Sequence, residues 1–366
     1  MTLFLYLAKQ YFWRFASVSA VFFGIMVLAE ATTLLGKFGT SSLGVLDLMR
    51  MALLWAPNGV YQILPFIAVL ASLALFLGLS RSSELVATRA AGQSALRILA
   101  APVAAAFVIG LIGVTAINPF AAATLGKFES ETGRYKSGSL SSFSLSRKGL
   151  WLRQGSAGKQ TVIFAESANF AATRLSGVTF FEFSGRGTIR RRIDAQFAIL
   201  RAGRWDLGPG KFWELYGSGD VPDKSATAFD SLSIASDLTS GQILDSFGDP
   251  ATISFWDTPD FVSRLEASGL ATEKHRVHFQ IELASPLMLV AMVLLGAALT
   301  MRHNRARGRG TMILITVILG LSAYILRDLA EIMGSNGAIP VLAAAWVPPV
   351  AMTLLALGLV LHMEDG

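Results

Sequence analysis

The sequence predicts an α-helical integral membrane protein of six transmembrane helices, with an all-β, jelly-roll-like periplasmic domain inserted between the third and fourth. Three observations carry this. The 366 residues are 53% hydrophobic and only 15% charged, whereas an ordinary soluble domain has about a quarter of its residues charged, and the mean hydropathy is +0.53. The apolar residues gather in long uncharged runs at both ends of the chain. Between them, residues 122–282 hold 19 of the 31 basic and 18 of the 25 acidic residues, and short β-branched and aromatic runs alternate there with Gly-rich turns.

A bilayer core needs about 20 apolar residues per helix. Phe15 to Gly36 is broken only by Glu30, while Met51 to Ser80 and Ile98 to Gly126 carry no charge at all. After the insert come Leu283 to Met301, Gly310 to Leu326 and Ile332 to Leu361. The first run is longer than a signal core and has no convincing small-residue cleavage site, so it is expected to remain in the mature protein. The organisation is therefore residues 1–126 for the first three helices with a cytoplasmic loop at 80–97, 127–282 for the β domain and its stems, and 283–366 for the last three helices.

Charge placement sets both orientation and partners. The net +6 does not point to nucleic acid, because the insert is nearly neutral and the excess, 12 basic against 7 acidic residues, belongs to the hydrophobic parts. Nine of those 12, namely Lys9, Arg14, Arg81, Arg89, Arg97, Arg302, Arg305, Arg307 and Arg309, fall on one side of the six spans. By the positive-inside rule that side is cytoplasmic, both termini lie there, and the insert faces the periplasm. With no cysteine there is no disulfide or thiolate zinc site, so the insert must be held by its core alone.

Within the insert, Thr161 to Glu166, Gly177 to Phe183 and Ile189 to Phe197 read as strands. Gly203 to Trp213 reads as a hairpin with Gly208-Pro209-Gly210 at its tip. A short helix over Pro259 to Ser268, with Phe261, Val262 and Leu265 on one face, returns the chain to the membrane.

Signals for catalysis are poor. No G-x-x-x-x-G-K-[ST] run is present, which excludes a phosphate-binding loop of that kind. His275 and His278 are spaced i, i+3 but lack further metal ligands nearby and read as interfacial polar residues. No Ser/His/Asp set suggests itself by spacing. Arg327 and Glu331, at i and i+4, read as an intrahelical pair with Asp328 nearby.

The loop after the second helix runs Ser80-Arg-Ser-Ser-Glu-Leu-Val-Ala-Thr-Arg-Ala-Ala-Gly92. Ser82 or Ser83 can cap a short helix, Glu84 suits its positive end, and Gly92 can stop it. Leu85, Thr88 and Arg89 share a face. Such a helix either lies under headgroups or docks on a partner, with Glu84 aimed at a basic residue.

Through this loop, whose Ser83-Glu-Leu-Val-Ala-Thr-Arg-Ala-Ala-Gly92 is similar to an S-E-L-x-x-x-x-A-x-G motif, the chain resembles the LptF/LptG family of lipopolysaccharide export permeases, LptG most of all. Ala56-Pro57, Leu64-Pro65 and Gly149-Leu-Trp151 belong to the same resemblance, which covers nearly the whole chain. It implies a non-catalytic inner-membrane subunit of an ABC transporter that extracts lipopolysaccharide and passes it to a periplasmic bridge. The implied partners are a homologous LptF-type permease, an LptB-type ATPase dimer, an LptC-type membrane-anchored bridge protein and an LptA-type periplasmic bridge. No cofactor or metal would be bound directly, since the ATPase uses the ATP, docking on Arg81, Glu84, Leu85, Arg89 and Gly92. The competing reading is a membrane-anchored periplasmic scaffold without transport activity.

Charges near the outer leaflet are the candidate substrate contacts. Glu30 lies about 24 Å above Arg14 at 1.5 Å per residue, and Lys37 two turns higher. Lys37, with Lys127, Arg134 and Lys136 on the stem after the third helix, either meets the phosphates of an anionic lipid or snorkels to headgroups.

Overall fold

A computed structural model describes residues 2–38, 44–135, 144–146, 149–154, 160–168, 173–183, 189–201, 203–214, 226–236, 238, 249–267, 271–301 and 309–364. The chain divides into a helical unit of residues 1–128, 254–256 and 273–366 and a β-rich unit of residues 129–253 and 257–272. The helices are α1 (Thr2–Phe38), α2 (Val45–Gln62), α3 (Leu64–Arg81), α4 (Glu84–Ala90), α5 (Ala95–Ile112), α6 (Asn118–Tyr135), α7 (Thr258–Ala267), α8 (Glu273–Thr300), α9 (Arg309–Ser335) and α10 (Val341–Glu364), with a π-helical turn at Gly113–Ile117 joining α5 to α6.

Among the described residues, six segments are long and apolar enough to cross a membrane: Leu3–Phe38, Leu64–Arg81, Ala95–Thr132, Glu273–Thr300, Gly310–Ser335 and Val341–His362. Three precede the insert and three follow it, as the uncharged runs predict. Several boundaries differ from the sequence reading: the first helix already starts at Thr2, and Ile332 to Ser335 end the fifth span, so that the sixth starts at Val341. The fourth span starts at Glu273, because the polar residues before Leu283 continue the same helix. The second run is two helices, because Pro65 has no N–H for the carbonyl of Tyr61, which instead accepts from the N–H of Ile63.

The central post is α8. Within its most apolar window 72% of the residues are buried, against 17% in α1 and in α9, so α8 is enclosed by protein. Its neighbours approach closely where side chains are small. A Cβ on Gly296 would stand 2.8 Å from the Ser72 hydroxyl, and one on Gly110 would stand 2.5 Å from the Cα of Pro286. Ser72 uses this proximity to donate to the Val293 carbonyl at 2.9 Å. Around these contacts Ile67, Leu75 and Phe76 of α3, Leu99 of α5, and Leu289, Met292 and Leu295 of α8 form one core.

The β-rich unit is an antiparallel sheet of β1 (Ser144–Ser146), β2 (Gly149–Gln154), β3 (Gln160–Ala168), β4 (Arg174–Phe183), β5 (Ile189–Arg201), β6 (Arg204–Leu207), β7 (Gly210–Glu214), β8 (Thr227–Phe229) and β9 (Leu232–Ala235). The predicted hairpin with Gly208-Pro209-Gly210 at its tip is not formed. Both β6 and β7 pair with β5 in one register, Leu207 opposite Ala198 and Gly210 opposite Ala195, so they are halves of a single strand. The reversal comes earlier, between the paired Arg201 and Arg204, where Gly203 has φ +77°. The glycines serve close approach instead: a Cβ on Gly208 would meet the Phe197 ring at 2.4 Å, and one on Gly210 the Asp194 carbonyl at 2.1 Å.

A crease crosses the sheet at this level. Gly177 of β4, with φ +59°, falls between the pairs Ser176–Phe197 and Val178–Ala195, and Gln196 donates to the Pro209 carbonyl at 3.1 Å. On either side of the crease the buried face changes parity: Leu175 and Val178 are both buried, as are Ala195 and Ala198. Alternation in a flat strand forbids that, so the sheet folds over its own face. Phe180 lies opposite Ile193 and Trp205 opposite Leu200. Those two β5 residues would be about 23 Å apart on a straight strand at 3.3 Å per residue, yet the Phe180 and Trp205 rings meet edge to face with centroids 6.2 Å apart.

One buried side chain closes this roll. Gln154 at the end of β2 accepts from the Trp205 indole N–H at 3.2 Å and the Ser236 hydroxyl at 2.8 Å, and donates to the Ala235 carbonyl at 3.1 Å. Leu265 of α7 packs into the same core, with Phe261 beside it, as the apolar face of the predicted short helix requires. Gln154→Leu leaves the indole N–H and a carbonyl without partners, at about 1–3 kcal/mol each. Limited proteolysis within residues 144–236 of the full chain is expected to accelerate at least about tenfold, with the helical unit intact. An unchanged rate would show that these bonds do not hold the roll shut.

Candidate functional site

Three polar places stand out on the helical unit. The first is α4, a seven-residue helix following α3. Ser83 occupies the N-cap position, but at φ 61° its hydroxyl makes no capping bond, contrary to the expected serine cap. The C-terminal expectation holds: Gly92, at φ +76°, donates to the Arg89 carbonyl at 2.9 Å, and Gln93 donates to that of Thr88 at 3.3 Å, the paired closure that a left-handed glycine permits.

Leu85 is buried in the helical core and anchors α4. Thr88 and Arg89, on the same face, are half-buried, so the outward face is Val86, Ala87 and Ala90. Val86, 45% exposed, was not singled out by a reading that followed the charges, although its offset from Leu85 on a helix predicts its exposure. Glu84 is not a free charge: it accepts a hydrogen bond from the Tyr6 hydroxyl of α1 at 3.0 Å. Arg81 ends α3 and is exposed.

The second place is the far end of α1. Glu30 and Lys37 are seven residues apart, two turns or about 10 Å; Glu30 is half-buried and Lys37 exposed. Beside them Leu34 and Phe38 pack with Leu48, Met51 and Ala52 of α2, and Phe128 of α6 joins that cluster. Lys37 and Lys127 are the sequence neighbours of Phe38 and Phe128, which meet in this cluster. Arg50, between Met49 and Met51 of the same cluster, is a further cation there. Its signal was available by subtraction, since it is one of the three basic residues outside the insert that do not fall on the cytoplasmic side. Arg134 belongs to the part of α6 in the β-rich unit, and Lys136 lies outside the described residues.

The third place was not anticipated. The predicted Arg327–Glu331 pair is replaced by two others: Arg327 contacts Asp328 at 3.9 Å, and Glu331 of α9 reaches His278 Nδ1 of α8 at 3.4 Å. His278 Nε2 lies 3.7 Å from Glu282 one turn along, and Glu282, itself buried, accepts from the Tyr61 hydroxyl of α2. Nearby, the π-helical turn presents the Thr115 carbonyl to the Trp256 indole N–H at 3.1 Å, and Asn118 accepts from the Phe255 N–H at 2.8 Å. His278 is thus part of a polar chain across three helices rather than an isolated interfacial residue. Among the described residues no cluster offers three or more metal-ligating side chains.

Polar side chains within membrane helices persist where each finds a partner. Tyr61→Phe removes the donor to Glu282 while leaving the carboxylate buried, and is expected to cost about 1–3 kcal/mol. In a Glu282→Leu background the same change should cost much less, giving a coupling of about 1–3 kcal/mol in a double-mutant cycle of detergent unfolding. Additive effects would show that the contact carries no energy.

The model of one protein family, described as lipopolysaccharide export system permease LptF/LptG, matches residues 5–362. No curated protein matches the chain.

Proposed function

We propose that this chain, which belongs to the LptF/LptG family of lipopolysaccharide export permeases, is a transmembrane subunit of an ABC transporter whose ATP is hydrolysed by a separate ATPase. The observation that carries this reading is the extent of the family match: residues 5–362 take in all six candidate spans and the inserted sheet. The absence of a phosphate-binding loop from the sequence supports assigning ATP turnover to a partner.

In this reading α4 is the docking element for an LptB-type ATPase dimer. Leu85 fixes it to the core while Val86, Ala87 and Ala90 face outward, a small apolar patch suited to a groove. The excess of Lys and Arg on the α4 side supports a cytoplasmic position for that helix and both termini, and a periplasmic one for the β-rich unit. A homologous LptF-type subunit would complete the membrane part. The rolled sheet would receive acyl chains and hand them to LptC-type and LptA-type bridge proteins. Lys37, Arg50 and Lys127, around one apolar cluster, suit the phosphates and the first methylenes of lipopolysaccharide.

Two outcomes are expected. Val86→Asp places an unpaired carboxylate in the docking patch, and Glu84→Lys both reverses a charge and breaks the Tyr6 bond. Each should lower ATPase co-purification by about tenfold or more while the chain still inserts, since a buried unpaired charge exceeds the 1.4 kcal/mol that tenfold represents. Unchanged association and transport would remove the docking assignment. At the substrate end, Lys37→Glu should weaken lipopolysaccharide binding by about 2–4 kcal/mol, far more than Lys37→Ala. Photo-crosslinking from position 37 reads this, and no adduct together with normal coupling would place the substrate elsewhere.

A further inference from the structure

The N-terminal part of α1 carries a cavity of about 440 Å³ lined by Tyr6, Lys9, Gln10, Trp13, Arg14 and Ser17. At 100° per residue, Tyr6, Gln10, Trp13 and Ser17 fall within about 60° of one another, and Lys9 and Arg14 stand on opposite flanks. The floor is therefore amphipathic aromatic and amide surface, and the walls are cations.

Neither Lys9 nor Arg14 forms an ion pair among the described residues. Arg14 is positioned instead by the neighbouring helix: its guanidinium donates to the Ala74 carbonyl of α3 at 2.8 Å and lies over Gly78, where an added Cβ would stand 2.6 Å from it. A single carbonyl leaves its charge uncompensated and most of its five donors free for another acceptor. Gln10 donates to the Tyr6 hydroxyl, while its own Oε1 is buried without a partner. The site thus offers two cations that no carboxylate compensates among the described residues.

The same face of α1 continues into the membrane as an apolar track. Val21, Gly24 and Leu28 lie within about 60° of Tyr6 on the helical wheel; Val21 and Leu28 are 62% and 63% exposed, and a Cβ on Gly24 would meet nothing within 4 Å. A polar, cationic cavity at the end of a span, followed by an open apolar strip, has the shape of one molecule with an anionic head and a hydrocarbon tail.

We propose that this face of α1 binds an anionic phospholipid, its phosphate between Lys9 and Arg14 and one acyl chain along Val21, Gly24 and Leu28. The site requires only that α1 crosses the membrane and does not depend on what the protein transports. Its occupancy bears on α4, because Tyr6 at the cavity's end holds Glu84.

The test is native mass spectrometry of the purified full chain titrated with phosphatidylglycerol or phosphatidylcholine, combined with a photo-crosslinking amino acid in place of Ser17. Phosphatidylglycerol should be retained about tenfold more tightly by the parent chain than by Lys9→Gln, the loss expected of one charge-assisted contact, and more tightly than by Trp13→Ala, which strips the aromatic floor. Arg97→Gln, which removes a cation elsewhere, should retain it fully. The crosslinker should capture phosphatidylglycerol, and inorganic phosphate should not displace it. Equal retention in Lys9→Gln and Trp13→Ala, equal loss in Arg97→Gln, displacement by phosphate alone, or capture of lipopolysaccharide at position 17 would each overturn the proposal. Should a variant fail to fold, the crosslink still decides.

Discussion

Helices in hydrocarbon gain little from hiding apolar side chains from lipid, so their association depends on how closely the backbones approach. In this chain that approach is made at α8. Gly296 against Ser72 and Pro286 against Gly110 bring α3 and α5 onto the central helix, and the Ser72 hydroxyl turns the proximity into a hydrogen bond on Val293. The larger side chains of the core, Phe76, Leu99 and Met292 among them, fill what those contacts leave. The polar chain from Tyr61 through Glu282 and His278 to Glu331 is built on α8 as well. The peripheral helices α1 and α9 keep most of their surface free.

The two units solve different problems with different means. The helical unit satisfies its backbone within each helix and spends its few polar side chains on contacts between helices. The β-rich unit has no disulfide to hold it, so a sheet that would otherwise leave one face bare must bury it against itself. The crease at Gly177 and Gly208 lets β4, β5 and the β6–β7 strand turn opposite faces to one core, and Gln154 bonds the roll from β2 to the strand end at Ala235. Phe180 against Trp205 fills the middle.

The spans were legible because uncharged runs report directly on a hydrocarbon environment, and Gly92 was legible because a positive φ at a helix end favours glycine. The polar chain was not legible: positions 61, 278, 282 and 331 are joined only by packing, and each is innocuous alone. Gly208-Pro209-Gly210 misled because the residues that make a turn also make a crease, where their value is the missing Cβ rather than the chain reversal. On α4, attention to charge passed over Val86, and the Tyr6–Glu84 bond joins positions too far apart in sequence for spacing to reveal. The family resemblance extended what spacing alone supported, and it did so most for the loop around Glu84, where the motif is densest.

The π-helical turn at Gly113–Ile117 fixes a phase. An α-helix advances about 100° per residue, and a π turn absorbs one residue more than regular winding would hold. Everything distal to it in the span is therefore set at an angle that an uninterrupted helix would miss by roughly a quarter of a revolution. Asn118 meets Phe255, and Phe128 meets the cluster of Phe38 and Met51, at that offset angle. The span is in effect two cylinders keyed together, so its length can change by one residue at the key only by rotating one set of contacts out of mesh with the other.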